Sequence, residues 1–249
     1  MSDYVRAVPP PAAAPVDPAV EAVAREAAAL VNDGDRVGLG SGRAALAFVS
    51  ALGARVRGKD GLRVSVVATS EATAQRAREF GMPFIELGED VILDVTVDGA
   101  DEVAPNLDLV KGWGAALVRE RIVAAASRRQ VILVGPDKLV QGLGQRGRIP
   151  VEIIPLARGP VTREIKALAL VPTVRQDGSR DLVTENGNLI LDCAPAAPLA
   201  DGRAARELET KLLGLAGVVD TGLFLGTAER VLVGYPDGRV DVRRRSHAP

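Results

Sequence analysis

The sequence predicts an α/β fold: a mostly parallel sheet flanked by helices on both faces, with a smaller α+β (split βαβ, ferredoxin-like) domain inserted late. Three observations predict it. Before about residue 147, short apolar runs alternate with amphipathic helical stretches, as in a parallel sheet covered on both sides. From Ile149 the order becomes β-α-β-β-α-β, that of a split βαβ unit. Turns rich in glycine and carboxylate follow two of the strands, and open α/β sheets bind ligands beyond strand carboxyl ends. The expected divisions are a disordered lead-in at 1–16, a larger α/β domain at 17–147 plus 227–245, and the small domain at 148–226.

In chain order, Met1–Pro15 is rich in Pro and Ala, and Pro9-Pro10-Pro11 is too stiff for a helix. Asp17-Pro18 sets a helix start, a cap followed by proline at the first helical position. Val20, Val23, Ala27, Leu30 and Val31 form its apolar stripe, and Gly34 ends it. Arg36–Gly40 is a short strand running into Gly40-Ser41-Gly42-Arg43, and a helix follows, apolar at Ala44, Leu46, Ala47, Val49 and Leu52. Val64–Ala68 reads as a strand, Ser70-Glu71 to Phe80 as a helix closed by Gly81, and Pro83–Leu87 as a strand. Val91–Asp98 alternates with period two, Val91, Leu93, Val95 and Val97 on one side and Ile92, Asp94, Thr96 and Asp98 on the other. Ala115–Ser127 predicts a helix that is apolar all round except at Arg119, Glu120 and Arg121. Gln130–Val134 is the next strand, ending at Gly135-Pro136-Asp137-Lys138.

In the second part, Pro150–Ile154 is a strand and Thr162–Leu168 a helix. Val171–Arg175 and Asp181–Asp192 supply strands, with a Glu185-Asn186-Gly187 turn between apolar runs. Asp201–Leu213 is a helix and Gly217–Val219 a last strand. Arg230–Gly234 returns to the first sheet, Pro236-Asp237-Gly238 turns, and Arg243–Pro249 is expected as a basic tail.

Composition narrows the function. At 249 residues and 47% hydrophobic the chain can bury a real core, and its formal net charge of −1 gives no basic surface for nucleic acid. Cys193 is the only cysteine, so no intrachain disulfide forms, which suits a reducing cytosol. Following the run Gly187–Asp192, it reads as a buried strand residue. The single histidine, His247, lies in the polar C-terminal tail, so a Ser–His triad or a histidine metal site is excluded. Proton chemistry therefore falls to carboxylates and lysine. No apolar run reaches the length of a membrane span, and Met1–Pro15 lacks the apolar core of a signal peptide. A cytoplasmic protein is expected.

The Gly40 turn, between a strand and a helix, lets backbone N–H groups close around an anion at the helix's positive end. It is not a P-loop, lacking Gly-Lys-Ser/Thr. A dinucleotide site needs an acid after the next strand, whereas Asp60 precedes Val64–Val67. Asp98-Gly99-Ala100-Asp101-Glu102 then gathers carboxylates at a strand end, and Lys111-Gly112-Trp113-Gly114 leads into the helix of Glu120. Ala116, Leu117, Val123 and Ala124 surround Glu120 at helical spacing, so its carboxylate is paired or working. Taken singly these groups have plainer readings: Asp98 as a turn cap, Lys111 as a solvated lysine, and Lys138 with Asp137 as a surface ion pair. Thr69-Ser70-Glu71 reads as a helix cap.

Together the residues resemble type A ribose-5-phosphate isomerases. The resemblance rests on Asp98-Gly99-Ala100-Asp101-Glu102, Pro105-Asn106-Leu107, Lys111-Gly112 and Arg119-Glu120-Arg121-Ile122-Val123. It extends to Thr69-Ser70-Glu71, Asp137-Lys138-Leu139, Pro150-Val151-Glu152, Thr184–Asn188 and Gly222–Gly226, in family order from about residue 17 to 240. It implies interconversion of D-ribose 5-phosphate and D-ribulose 5-phosphate through an enediolate, in the non-oxidative pentose phosphate pathway, with no cofactor and no metal. Glu120 is then the base, and Lys111 stabilises charge developing on oxygen. Asp98 or Asp101 opens the furanose ring, the choice left open. Gly40, Ser41, Gly42, Arg43 and Ala44, with Gly99, Ala100, Gly112, Trp113, Gly114 and Lys138, bind the substrate. The implied partner is a small sugar phosphate rather than nucleic acid or membrane, and the implied state a homodimer or homotetramer.

Three departures stand out. Arg43 and Ala44 replace two hydroxyl residues of the usual loop, Trp113 breaks the usual glycine run, and a first-helix lysine has no counterpart unless Arg25 serves. A non-catalytic sugar-phosphate-binding module, or an isomerase or deaminase of related fold acting on another sugar phosphate, is the alternative reading.

Overall fold

The computed structural model describes residues 17–59 and 61–245. The lead-in at 1–16, Asp60 and His247 lie outside the described residues.

Helix α1 (Pro18–Ala29) starts as the Asp-Pro pair predicts, Asp17 accepting a hydrogen bond from the Ala19 N–H. Strand β1 (Arg36–Leu39) leads through Ser41 into α2 (Gly42–Arg57), and β2 (Ser65–Ala68) into α3 (Glu71–Glu79), capped by the Ser70 hydroxyl. After β3 (Val95–Gly99) come the short β4 (Glu102–Val103) and β5 (Leu109–Val110). Helix α4 (Leu117–Ala125) and β6 (Gln130–Val134) complete this half. The second half holds β7 (Ile149–Ile153), α5 (Arg158–Ala167), β8 (Leu170–Val174), β9 (Gln176–Asp177), β10 (Arg180–Asp181), β11 (Leu189–Pro195), α6 (Gly202–Leu213) and β12 (Val218–Thr221). Strands β13 (Leu223–Phe224), β14 (Ala228–Gly234) and β15 (Val240–Arg244) close the chain.

The main sheet has the order β15-β14-β6-β3-β1-β2, parallel throughout except for the antiparallel edge pair β14–β15. Val37, Leu39, Val95, Val97, Val131 and Leu133 face α1 and α2 on one side, meeting Val23, Phe48 and Leu52. On the other side Ile132, Val231 and Val233 pack with Leu117 and Phe224. A four-stranded antiparallel sheet, β12-β7-β11-β8, carries α5 and α6 and buries Val151, Ile165, Leu191, Cys193 and Leu212. A three-stranded sheet, β13-β5-β4, joins the two, because Leu223 and Phe224 pair with Val110 and Leu109.

Several elements differ from expectation. The strand expected at Val91–Asp98 pairs continuously only from Val95, opposite Val37, since β1 begins at Arg36 and offers little upstream. Leu93 makes a lone bridge to Ser127. Pro83–Leu87 reduces to one bridge, Phe84 to Val66, at the sheet edge. Asp181–Asp192 is not a simple hairpin: β9 and β10 form a tiny one around Gly178, and Val183 only bridges Leu189. The basic tail is in part a strand, since Arg243 and Arg244 end β15. The helix expected at Ala115–Ser127 spans Leu117–Ala125, because Ala115 takes a left-handed φ of 63°. Nor is that helix buried all round: Leu117, Glu120 and Val123 form one inward stripe, while Ile122 is 53% exposed.

Candidate active site

The site forms where β1, β3 and β6 end. Asp98, the penultimate residue of β3, is buried under the Gly40 turn, where a Cβ on Gly40 would stand 2.1 Å from the Asp98 carboxyl carbon. That close approach requires glycine. The backbone N–H groups of Ser41 and Gly99 donate to Asp98 Oδ1 at 3.0 and 2.7 Å. Its Oδ2 lies 2.9 Å from Lys111 Nζ.

Lys111 follows β5, its own N–H bonded to the Gly222 carbonyl, and its side chain runs inward until it is 2% exposed. The ammonium donates to the Gly99 carbonyl at 2.6 Å and stands 3.2 Å from Glu120 Oε2. That second contact is an ion pair outside hydrogen-bond geometry, so the Glu120 oxygen is buried without a hydrogen-bond partner among the described residues. Burial, reinforced by the Asp98 carboxylate, pushes the Glu120 carboxyl up to about 8 against the pull of Lys111. Burial works against the charge on Lys111, but Asp98 and Glu120 outweigh it and hold the lysine above its ordinary value. The base and its cation are thus poised oppositely.

Both open on a cavity of about 240 Å³. Of the residues predicted from sequence, Ser41, Gly42, Arg43, Ala44, Gly99, Ala100, Asp101, Lys111, Gly112, Gly114, Glu120 and Lys138 line it. Gly40, Asp98 and Trp113 do not. Gly40 and Asp98 sit behind Ser41 and Lys111, as the preceding contacts require. Trp113 does not narrow the cavity with its ring, because the indole is held outside by cations. Its N–H donates to the Arg148 carbonyl at 3.2 Å, and Arg148, Arg146 and Lys138 stand 4.3, 4.8 and 5.7 Å from the ring centre. Arg25 is not in the lining and faces Glu21 at 3.9 Å.

Asp101 differs from Asp98. It faces the cavity, and its Oδ2 accepts from the Trp113 backbone N–H at 2.9 Å. Burial raises its carboxyl above the ordinary value despite that hydrogen bond and the nearby Lys111. Ser41, also in the lining, precedes the first turn of α2, and its hydroxyl is 2.6 Å from that of Thr69. Arg43 and Lys138 bring positive charge to the lining. Sequence reasoning missed the wall made by the cap residue Asp17 and by Ala19, Val20 and Val23 of α1, although the Asp-Pro start located that helix end. It named Glu102 in the acidic motif but gave it no role; Glu102 accepts from the Gly144 and Arg146 N–H groups, each at 2.6 Å, and so anchors the loop beneath Trp113.

The family model described as ribose 5-phosphate isomerase A (phosphoriboisomerase A) matches residues 65–238. The ribose-5-phosphate isomerase A of Deinococcus radiodurans is 43% identical over 229 residues, covering 90% of this chain and 99% of the relative. The chain belongs to the ribose 5-phosphate isomerase A family. Its fold is that of the family's solved structures. Ribose 5-phosphate isomerase A from Methanocaldococcus jannaschii superposes with a TM-score of 0.83 at 36% identity, covering 90% of this chain and 97% of that one. A D-ribose-5-phosphate isomerase in complex with phospho-erythronic acid superposes at 0.86 with 31% identity, covering 93% and 100%. The Glu120–Lys111 pair and the α2 turn thus belong to an isomerase A scaffold.

Proposed function

We propose that this member of the isomerase A family interconverts D-ribose 5-phosphate and D-ribulose 5-phosphate, passing through an enediolate. One observation carries the reading: a buried carboxylate of raised basicity and a buried ammonium, 3.2 Å apart, open on one cavity. Glu120 removes the proton from C2 of the open-chain aldose and returns it to C1, while the proton of the C2 hydroxyl passes to the C1 oxygen. Lys111 stabilises the negative charge that develops on the oxygens, a preorganised cation doing the electrophilic work. Asp101 opens the furanose ring by moving a proton between the ring oxygen and the C1 hydroxyl. It fits this better than Asp98, whose two oxygens already hold two N–H groups and the lysine away from the cavity surface. The phosphate is bound at the N-terminus of α2, with Arg43 and Lys138 supplying charge.

The same proposal takes residues 17–147 with 227–245 as the catalytic domain and 148–226 as the small α+β domain, supported by the separation of the six-stranded and four-stranded sheets, which the short β13-β5-β4 sheet links. The homodimer or homotetramer and the cytoplasmic location rest on the resemblance and on the lone cysteine.

Two variants test the roles. Glu120→Gln should abolish both ketose formation from ribose 5-phosphate and deuterium exchange from D2O into C1 of ribulose 5-phosphate, each by at least about 10²-fold. Asp101→Asn should slow ketose formation from the cyclic aldose yet keep that exchange, because ribulose 5-phosphate is already acyclic. A folded Glu120→Gln enzyme with more than about a tenth of wild-type kcat refutes the base assignment.

A further inference from the structure

We infer that Arg175 is a positioning residue for Asp101, acting through the loop Gly112-Trp113-Gly114. The inference rests on the ring-opening role proposed for Asp101 above. Arg175 follows β8, and its backbone is fixed on both sides, its N–H to the Ile190 carbonyl and its carbonyl to the Leu182 N–H. Its guanidinium is buried and paired through two nitrogens with Asp192 of β11, at 2.9 and 2.5 Å. A forked pair of this kind fixes the plane of the guanidinium. The remaining nitrogen, Nη1, donates to the carbonyls of Gly112 and Trp113 at 2.7 and 3.1 Å.

Those two carbonyls decide where the loop's N–H groups point. A trans peptide sets its N–H opposite its C=O. With the Gly112 carbonyl turned to Arg175, the Trp113 N–H is turned the other way, and there it meets Asp101 Oδ2 at 2.9 Å. The Gly112 carbonyl also accepts from the Ala115 N–H at 3.0 Å, a neutral bond to which Arg175 adds a charged one. Gly112 has a φ of 99°, a Cβ at Gly114 would have no neighbour within 4 Å, and glycine turns freely. Arg175 therefore holds from the small sheet the peptide that aims the Asp101 carboxyl into the cavity.

The test compares Arg175→Ala, Arg175→Lys, Asp101→Asn and the double variant Arg175→Ala/Asp101→Asn in the full chain. Each is assayed for ketose formation from ribose 5-phosphate and for deuterium exchange into C1 of ribulose 5-phosphate. Arg175→Ala should lower kcat from the aldose by about 10–100-fold, the scale of a charge-assisted hydrogen bond. It should leave the exchange within about threefold of wild type. Arg175→Lys keeps the buried charge against Asp192 but lacks the fork, so it should fold and fall between. The double variant should be no slower than Asp101→Asn alone, since both act on one group. Parallel loss of turnover and exchange in Arg175→Ala and Arg175→Lys would mean general loosening of the site and overturn the inference. So would a double variant whose losses multiply. If Asp101→Asn itself turns over ribose 5-phosphate like wild type, the ring-opening assignment fails and this inference fails with it.

Discussion

Glu120 carries a stability cost that its function explains. Its carboxyl ordinarily ionises near 4.5 but does so at about 8 in the folded chain, chiefly because it is buried. Between those values the folded state holds a proton that the unfolded state has lost. Folding stability from this group is therefore complete below about pH 4.5 and drains away as pH rises through about 8. Glu120→Gln, which cannot ionise, escapes the loss. The variant's Tm should gain on wild type steadily from pH 5 to pH 8.5, measured by thermal melts; a constant difference would place the ionisation elsewhere. At this scale the sequence was informative about chemistry and silent about geometry. The motif Asp98–Glu102 announced acids at a strand end, yet which acid faces the cavity depends on the packing of Gly40 and on the Trp113 N–H. Arg175 was illegible because its partners at Gly112 and Trp113 are backbone carbonyls, which leave no mark in residue type.

Among the elements, β1 and β3 hold the site by nearness. Gly40 lies where any side chain would strike Asp98, so Gly40→Ala must push the carboxylate from its two N–H donors or part the strands. A loss of about 1–3 kcal/mol is expected from overpacking, together with reduced kcat as Lys111 loses its partner. Denaturant titration and a turnover assay check both, and a neutral variant would mean the turn yields without strain. The long helices were legible because caps and apolar stripes are local: Asp17, Ser70 and Asp201 each cap the helix they announce. The two-residue strands β4, β5 and β13 were not, since their pairing depends on partners up to 115 positions away, as between Phe224 and Leu109, and no period can show in so short a run.

Across the whole molecule, the helix bearing the base is braced from both sides of Glu120. Arg119 reaches Glu185 and Asn186, and the Glu185 carboxylate in turn accepts from the Glu71 N–H at the head of α3. Arg121 bonds Asp220 at 2.6 Å and the carbonyls of Thr221 and Leu223, with its guanidinium over the Phe224 ring. The base is thus held by the four-stranded sheet as much as by the main one, and Cys193 lies inside that smaller sheet, on a strand paired along both edges. Burial, with Asp192 beside it, pushes the thiol up to about 12, so at neutral pH it is neither a thiolate nor within reach of a reagent. The cysteine is then a clock wound by the fold itself. Labelling by an excess of a thiol reagent should proceed only as fast as the β7-β11-β8 ladder opens, and should accelerate with denaturant in step with loss of enzyme activity. Modification of Cys193 well ahead of inactivation would reveal that the small sheet breathes on its own while the catalytic carboxylates remain in place.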